Sequence, residues 1–282
     1  MRVLGSRRVV TLGEGDRSRL AQLLDADPMR SIFLASRVAQ YGLAPHRLGC
    51  PVLAYERGGR LLAALHCGVN LFLVGTAPEA LDAFVDSLGP RAQTQSIVGP
   101  AEVIPGFLSR LEDRWGASWS SVRSMRPHQP VMRLDTDACI PGDERVRRIE
   151  LADAGPYFDA AVAMYTEEVG ESPLDASNSY RFFVHSLIRA GRSFGALTGG
   201  KVWFKADIGA IYGQACQIQG VWLDPAVRGH GLSEAAMAQA IKLARQSWPV
   251  VSLYVNSYNT RALRLYQRIG FTQVGELATV LY

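Results

Sequence analysis

The run Gln219-Gly220-Val221-Trp222-Leu223-Asp224-Pro225-Ala226-Val227-Arg228-Gly229-His230-Gly231-Leu232-Ser233 joins an apolar stretch, a glycine turn and the start of an alanine-rich segment. A turn that gathers unpaired backbone N–H groups at a helix N-terminus makes a concave anion site, favoured by the positive end of the helix dipole. Gly229 and Gly231 tolerate positive φ and put no Cβ in a ligand's way, and Arg228 is expected to add a formal charge beside the nest. The chemistry this spacing points to is the binding of a phosphate or pyrophosphate. An ordinary surface turn with two glycines has the same letters, so the flanking elements must decide.

Those elements occur in the required order. Residues 208–223 read as a strand-like stretch of β-branched and aromatic residues stopped by Asp224-Pro225. Leu232, Ala236, Met237, Ala240, Ile241 and Ala244 recur at three- and four-residue steps, the stripe of an amphipathic helix. Val250 to Asn256 reads as a second strand. From Asn259 to Phe271 another helix is predicted, with Asn259 as N-cap and Gly270 as C-terminal stop.

The loop resembles the Gln/Arg-x-x-Gly-x-Gly/Ala signature of the GNAT superfamily of N-acetyltransferases. Asn-x-x-Ala-x-x-x-Tyr-x-x-x-Gly-Phe, from Asn259 to Phe271, resembles its second signature. Ser233 departs from the family's usual Gly or Ala, and is small enough to fit. The resemblance spans roughly residues 145–282, and over its whole length the chain resembles actinobacterial two-domain proteins in which a poorly characterised domain precedes a GNAT domain. It implies an α/β fold (α+β, mixed sheet) and acetyl-CoA as acyl donor. Val221 and Leu223 would pair with the pantetheine arm, and the N–H groups of Arg228, Gly229, His230, Gly231, Leu232 and Ser233 would hold the pyrophosphate. His230 would contribute through its backbone, its ring facing solvent. Tyr266 would be the general acid that protonates the departing thiolate, a phenol of ordinary pKa near 10 being protonated at neutral pH. Read without the motif, Tyr266 is a core aromatic on a stripe with Ala262 and Ile269. Asn259 would cap its helix and also reach the pantetheine or acyl group.

A general base is harder to find. Between Ile208 and Leu223 the polar side chains are Tyr212, Gln214, Cys216, Gln217 and Gln219, and no amide is a base. The family builds its acceptor site at the end of the domain's first helix, here near Glu167, Glu168 and Glu171. Adjacent Glu167 and Glu168 point about 100° apart on a helix, so one of them at most is expected to face the cleft. The terminal carboxylate of Tyr282, at the end of an expected strand from Ala278, is a further candidate base. The three glutamates favour a cationic acceptor, a small-molecule amine or a protein amino group.

The first half has its own order. A strand at Arg8 to Leu12, helices at Asp16 to Leu24 and Met29 to Tyr41, and a hairpin around Gly58-Gly59 are followed by a strand at Asn70 to Val74. A helix at Pro78 to Leu88, a strand near Ser96 to Val98 and a helix at Ala101 to Trp115 complete it. This parallels the second half, which opens with a strand expected at Arg145 to Glu150. The expected architecture is therefore tandem GNAT-like: a degenerate domain at 1–138 with a covering or acceptor-shaping role, a turn-rich boundary, and an acyl-CoA-binding GNAT domain at 145–282. In the equivalent loop, Val74-Gly75-Thr76-Ala77-Pro78, the proline removes an N–H, so this half should bind CoA poorly.

Composition narrows the partners. The net charge of +4 divides into +2 for residues 1–145 (17 basic, 15 acidic) and +2 for residues 146–282 (13 basic, 11 acidic). No basic stripe for a nucleic acid and no lysine-rich membrane patch results, since Lys201, Lys205 and Lys242 are the lysines among 30 basic residues. Cys50, Cys67, Cys139 and Cys216 lack metal or disulfide spacing, so no metal is expected, and Cys216 reads as a packed thiol. The start has no signal-peptide core, from which a cytoplasmic location is expected; a homo-oligomer stays open. Three functions remain at this stage: an acetyl-CoA-dependent N-acetyltransferase, an aminoacyl-tRNA-dependent transferase of the same fold, which an intact pyrophosphate loop disfavours, and a non-catalytic acyl-CoA sensor.

Overall fold

The structure, a computed structural model, describes residues 7–174 and 176–282. It divides into two compact units. The first takes the chain through Val131 together with Tyr254–Tyr258 and Gln273–Tyr282; the second takes Met132–Leu253 and Asn259–Thr272.

In the first unit the elements are β1 (Arg7–Thr11), α1 (Arg17–Asp25), α2 (Pro28–Tyr41), α3 (Pro45–Leu48), β2 (Val52–Arg57), β3 (Arg60–Cys67), β4 (Asn70–Val74), α4 (Leu81–Leu88), β5 (Ser96–Pro100), α5 (Ile104–Trp115), α6 (Ala117–Ser120) and β6 (Ser124–Leu134), whose end from Met132 on belongs to the second unit. In the second they are β7 (Arg147–Arg148), α7 (Ala154–Val169), α8 (Ser179–Arg189), β8 (Ser193–Thr198), β9 (Lys201–Tyr212), β10 (Ala215–Leu223), α9 (Leu232–Arg245), β11 (Val250–Tyr254) and α10 (Thr260–Ile269). The last strand, β12 (Thr272–Leu281), returns to the first unit.

Both units use one pairing scheme. In the first, β1-β2, β2-β3 and β3-β4 are antiparallel and β4-β5 is parallel. In the second, β7-β8, β8-β9 and β9-β10 are antiparallel and β10-β11 is parallel. A parallel pair needs a crossover connection, and α4 and α9 supply it at the same place in each unit. The chain is thus a mixed α/β protein with tandem GNAT-like architecture.

Two expectations change. Residues 208–223 are not one strand: β9 turns at Gly213-Gln214, pairing Tyr212 with Ala215, and returns as β10. The terminal strand, expected with residues 145–282, pairs antiparallel with β5 in the first unit, Leu277 opposite Pro100 through Leu281 opposite Ser96. Its Ala278 and Val280 are fully buried in a core with Phe84, Phe107, Leu111 and Trp119. Sequence order hid this because a strand pairs wherever an edge is free, however distant in the chain.

Val280→Ala should therefore cost about 2 kcal/mol of stability by denaturant unfolding. Hydrogen exchange should show protection lost in β5 and kept in β8 and β9; the reverse pattern would place β12 with the second unit.

Candidate active site

β9 is buried at every residue from Val202 to Ile208, as befits a strand covered on both faces. α7 packs on β9 and β10, and α9 on β7, β8 and β9. β10 leaves this rigid centre and stays in register with β11 over Ala215↔Val250, Cys216↔Val251 and Gln217↔Ser252. Beyond that the two strands part. On its other side β10 shifts register against β9 between Gln217 and Ile218 and again between Gln219 and Trp222. Gly220, inside the second shift, has φ +58°, a value costly for a residue with a Cβ. Val221 and Leu223 follow, both partly exposed.

The strand ends in a braced turn. Asp224 accepts the Ala226 N–H at 2.9 Å, and its other oxygen lies 2.7 Å from Lys201 Nζ, a cation that holds the Asp224 carboxyl below its ordinary value. A single 3₁₀ turn, Pro225–Val227, leads to Gly229 (φ +87°) and Gly231 (φ +73°) before α9 begins. A Cβ built on either glycine meets no atom within 4 Å, so the space above the loop is open and the constraint is backbone conformation alone. Gly231 has no side chain to cap α9. His230 is exposed, its ring outward as expected.

In the first unit the corresponding 3₁₀ turn, Pro78–Ala80, runs directly into α4 with nothing between. The four residues 228–231 are what the second unit adds, and they contain both left-handed glycines. A cavity of about 440 Å³ in the first unit, lined by Cys50, Cys67, Arg91, Thr94 and Trp119 among others, includes none of the motif residues.

α10 carries the second motif. Asn259 Oδ1 accepts the Ala262 N–H at 3.1 Å, the expected cap. Tyr266 is 7% exposed, edge-on to Phe271 with ring centroids 5.8 Å apart. Burial, aided by the Glu168 charge, pushes its phenol well above the ordinary value, so it is a protonated donor at neutral pH.

The family comparisons agree with this geometry. Residues 144–271 match the acetyltransferase (GNAT) family, and residues 50–157 match a domain of unknown function, DUF4081. The second half of the chain is a GNAT acetyltransferase domain. The chain is similar to a mycothiol acetyltransferase of Brachybacterium faecium, 38% identical over 77 residues, which are 27% of this chain and 23% of that protein. An acetyltransferase of Agrobacterium fabrum is 34% identical over 82 residues, 29% of this chain and 55% of that one. The chain thus spans less than two thirds of the length of either relative. Among solved structures, a GCN5-related N-acetyltransferase from Sphaerobacter thermophilus aligns over 97% of this chain and 94% of its own, at TM-score 0.62 and 16% identity. A tandem GNAT protein from the clavulanic acid biosynthesis pathway aligns over 97% and 98%, at TM-score 0.50 and 13% identity. At such identities these structures speak to fold alone.

Within the GNAT domain, the two adjacent glutamates separate. Glu167 receives both ends of the Arg228 guanidinium, Nη1 to Oε1 and Nη2 to Oε2 at 2.7 Å each, and Trp222 Nε1 donates to Oε2 at 3.1 Å. Arg228 Nε donates to the Leu223 carbonyl at 2.9 Å. The Arg228 side chain, expected to lend its charge to the nest, pairs with a carboxylate and donates to a carbonyl, and that guanidinium holds the Glu167 carboxyl below its ordinary value. Glu168 projects its field on Tyr266 and on Tyr180, whose phenol burial also raises. Tyr282 lies in the first unit, its N–H donating to Gln95 O at 3.0 Å and its ring edge-on to Trp119 at 6.0 Å.

The sequence reading also missed a buried carboxylate. Asp207 stands one residue before the stretch searched for a base, on β9 opposite Gln219, and is ion-paired to Lys205. Its signal was a lysine and an aspartate, Lys205 and Asp207, in the apolar middle of that strand, legible only once β9 and β10 are known to be a hairpin. The thiol of Cys216, pushed up to about 12 by burial, is the packed group expected.

The clamp has a pH signature. With its folded pKa depressed, Glu167 contributes stability fully present above the ordinary glutamate value of about 4.3, lost as pH falls through the lower folded value. Carbon-detected NMR titration should find the Glu167 carboxyl below that ordinary value in the wild type, and Arg228→Ala should move it up.

Proposed function

We propose that the GNAT domain transfers the acetyl group of acetyl-CoA to a primary amine, of a small molecule or a protein, by direct attack of the amine on the thioester. The observation that carries this reading is the gap between β10 and β11, with an open two-glycine nest on α9 at one end and the buried Tyr266 phenol on α10. Ligands of sheets of this kind enter where strands part, and a cradle of free N–H groups at a helix start suits a pyrophosphate. In this reading Val221 and Leu223 pair with the pantetheine arm, Gly229 to Ser233 hold the pyrophosphate through main-chain N–H groups, the Arg228 N–H expected among them being given to the Pro225 carbonyl at 3.3 Å, and Asn259 fixes the start of α10.

The chemistry moves three protons. The incoming ammonium must lose one to become a nucleophile, its nitrogen loses a second to solvent once it has attacked, and the departing thiolate gains one. Tyr266, kept neutral by burial, donates its O–H to the sulfur as the carbon–sulfur bond breaks. Glu168, on the last turn of α7, is assigned the role of base, since Glu167 is held by Arg228 and the Glu168 charge is felt at Tyr266. Once Glu168 has taken the amine's proton, Tyr266 can give its own to sulfur and be reprotonated from solvent.

Thiol release from acetyl-CoA in the presence of polyamines, aminoglycosides, amino acids and peptides tests the reading. For an accepted amine, Tyr266→Phe should lower kcat by about 10²- to 10⁴-fold while CoA binding by calorimetry stays unchanged. A ligand-linked response that survives in Tyr266→Phe, with every amine class inert, would leave a sensor in place of an enzyme. Glu168→Gln should lower kcat/KM for the amine by about 10²- to 10⁴-fold with CoA binding unchanged.

A further inference from the structure

Lys205 and Asp207 form an ion pair inside the second unit, Nζ to Oδ2 at 2.7 Å, with the lysine side chain fully buried and that of Asp207 7% exposed. The carboxylate is saturated. Ser193 Oγ donates to Oδ1 at 2.6 Å and Tyr157 OH to the same oxygen at 2.8 Å. The ammonium, 5.3 Å from the centre of the Tyr157 ring, makes one more bond, to the Gly220 carbonyl at 2.9 Å.

Stability is a poor explanation for such a pair. Desolvating two charges costs about what their attraction returns, and apolar replacements of similar volume are often as stable. The Gly220 carbonyl supplies a better one. A residue at a bulge falls out of the strand ladder, and a buried carbonyl must find another partner. Lys205 is that partner. The residue type fits too: this chain uses arginine at every basic position except 201, 205 and 242. A Cβ on Gly220 would lie 3.0 Å from Nζ and 3.1 Å from the Met164 methyl. The ammonium and that methyl therefore sit where any side chain at position 220 would begin.

Resting on the acetyl-CoA reading above, we infer that Lys205, anchored by Asp207, is a positioning residue of the donor site: by holding the Gly220 carbonyl it sets the bulge that turns Val221 and the residues after it toward the acyl-CoA arm. Ser193 and Tyr157 act one step further out, fixing the carboxylate that fixes the ammonium. The inference separates donor from acceptor. Loosening the bulge misplaces main-chain groups used by the donor, while α7 with its Glu168 is still held to Asp207 through Tyr157.

Lys205→Met, close in volume, is the direct test, with CoA binding by calorimetry, steady-state kinetics and far-UV circular dichroism read on the full chain. Expected are an unchanged spectrum, a Kd for CoA and a KM for acetyl-CoA raised about ten- to a hundredfold, an acceptor KM within error of wild type, and no rescue by Lys205→Arg. Equal CoA affinity in Lys205→Met, or an equal loss in donor and acceptor KM, overturns the inference. If Lys205→Met does not fold, Tyr157→Phe decides. It removes one hydrogen bond from Asp207 without changing shape, and should raise the CoA Kd several-fold; no rise overturns the inference equally. A wild-type protein that fails to bind CoA defeats the proposed function itself, whereas a wild type that binds and variants that bind as well defeat this inference alone.

Discussion

Where β10 leaves β11 after Gln217 and Ser252, a strand in the middle of a sheet loses its neighbour, and its main-chain groups must be satisfied by something else. Much of the second unit can be understood as a response to that one gap. The bulge at Gly220 turns the strand and Lys205 caps the carbonyl that the bulge orphans. Lys201 pins Asp224 at the strand's end, and the Glu167–Arg228–Leu223 clamp ties α7 to the start of the glycine loop.

The first unit shows the same pairing scheme without that consequence. Its parallel strands also pair over three positions, Asn70↔Ser96 to Phe72↔Val98, and its crossover helix also follows a 3₁₀ turn that begins with proline. What it lacks is the insertion between turn and helix. With α4 beginning directly after Ala80, no residues are available to form a nest, and Pro78 has no N–H to give. What separates the two loops is four residues, two of them glycine in the left-handed region.

Local physics made parts of this readable in the linear chain. The α9 stripe, the Asn259 cap and the Gly270 stop depend on residues within a few positions of one another, and the structure repeats them: Ala236, Met237, Ala240, Ile241 and Ala244 are buried, and Asn259 accepts from Ala262. Helical geometry alone requires Glu167 and Glu168 to point in different directions. Which one turned where could not be read, since Arg228 lies 61 residues away from Glu167. The charge on Arg228 was misjudged for the same reason: a sequence shows a formal charge and conceals its partner.

The amino-acid sequence by itself determined the α9 and α10 helices, the two left-handed glycines and the kinship of the second half, all of which rest on short-range periodicity and backbone preference. Only the tertiary structure decided that β12 completes the first unit, that Glu167 is tied to Arg228, and that Lys205 and Asp207 meet beneath Gly220. These are long-range pairings. Their energies depend on burial and on which edge, oxygen or ammonium is left over when the sheets have formed, and none of that is encoded in neighbours along the chain.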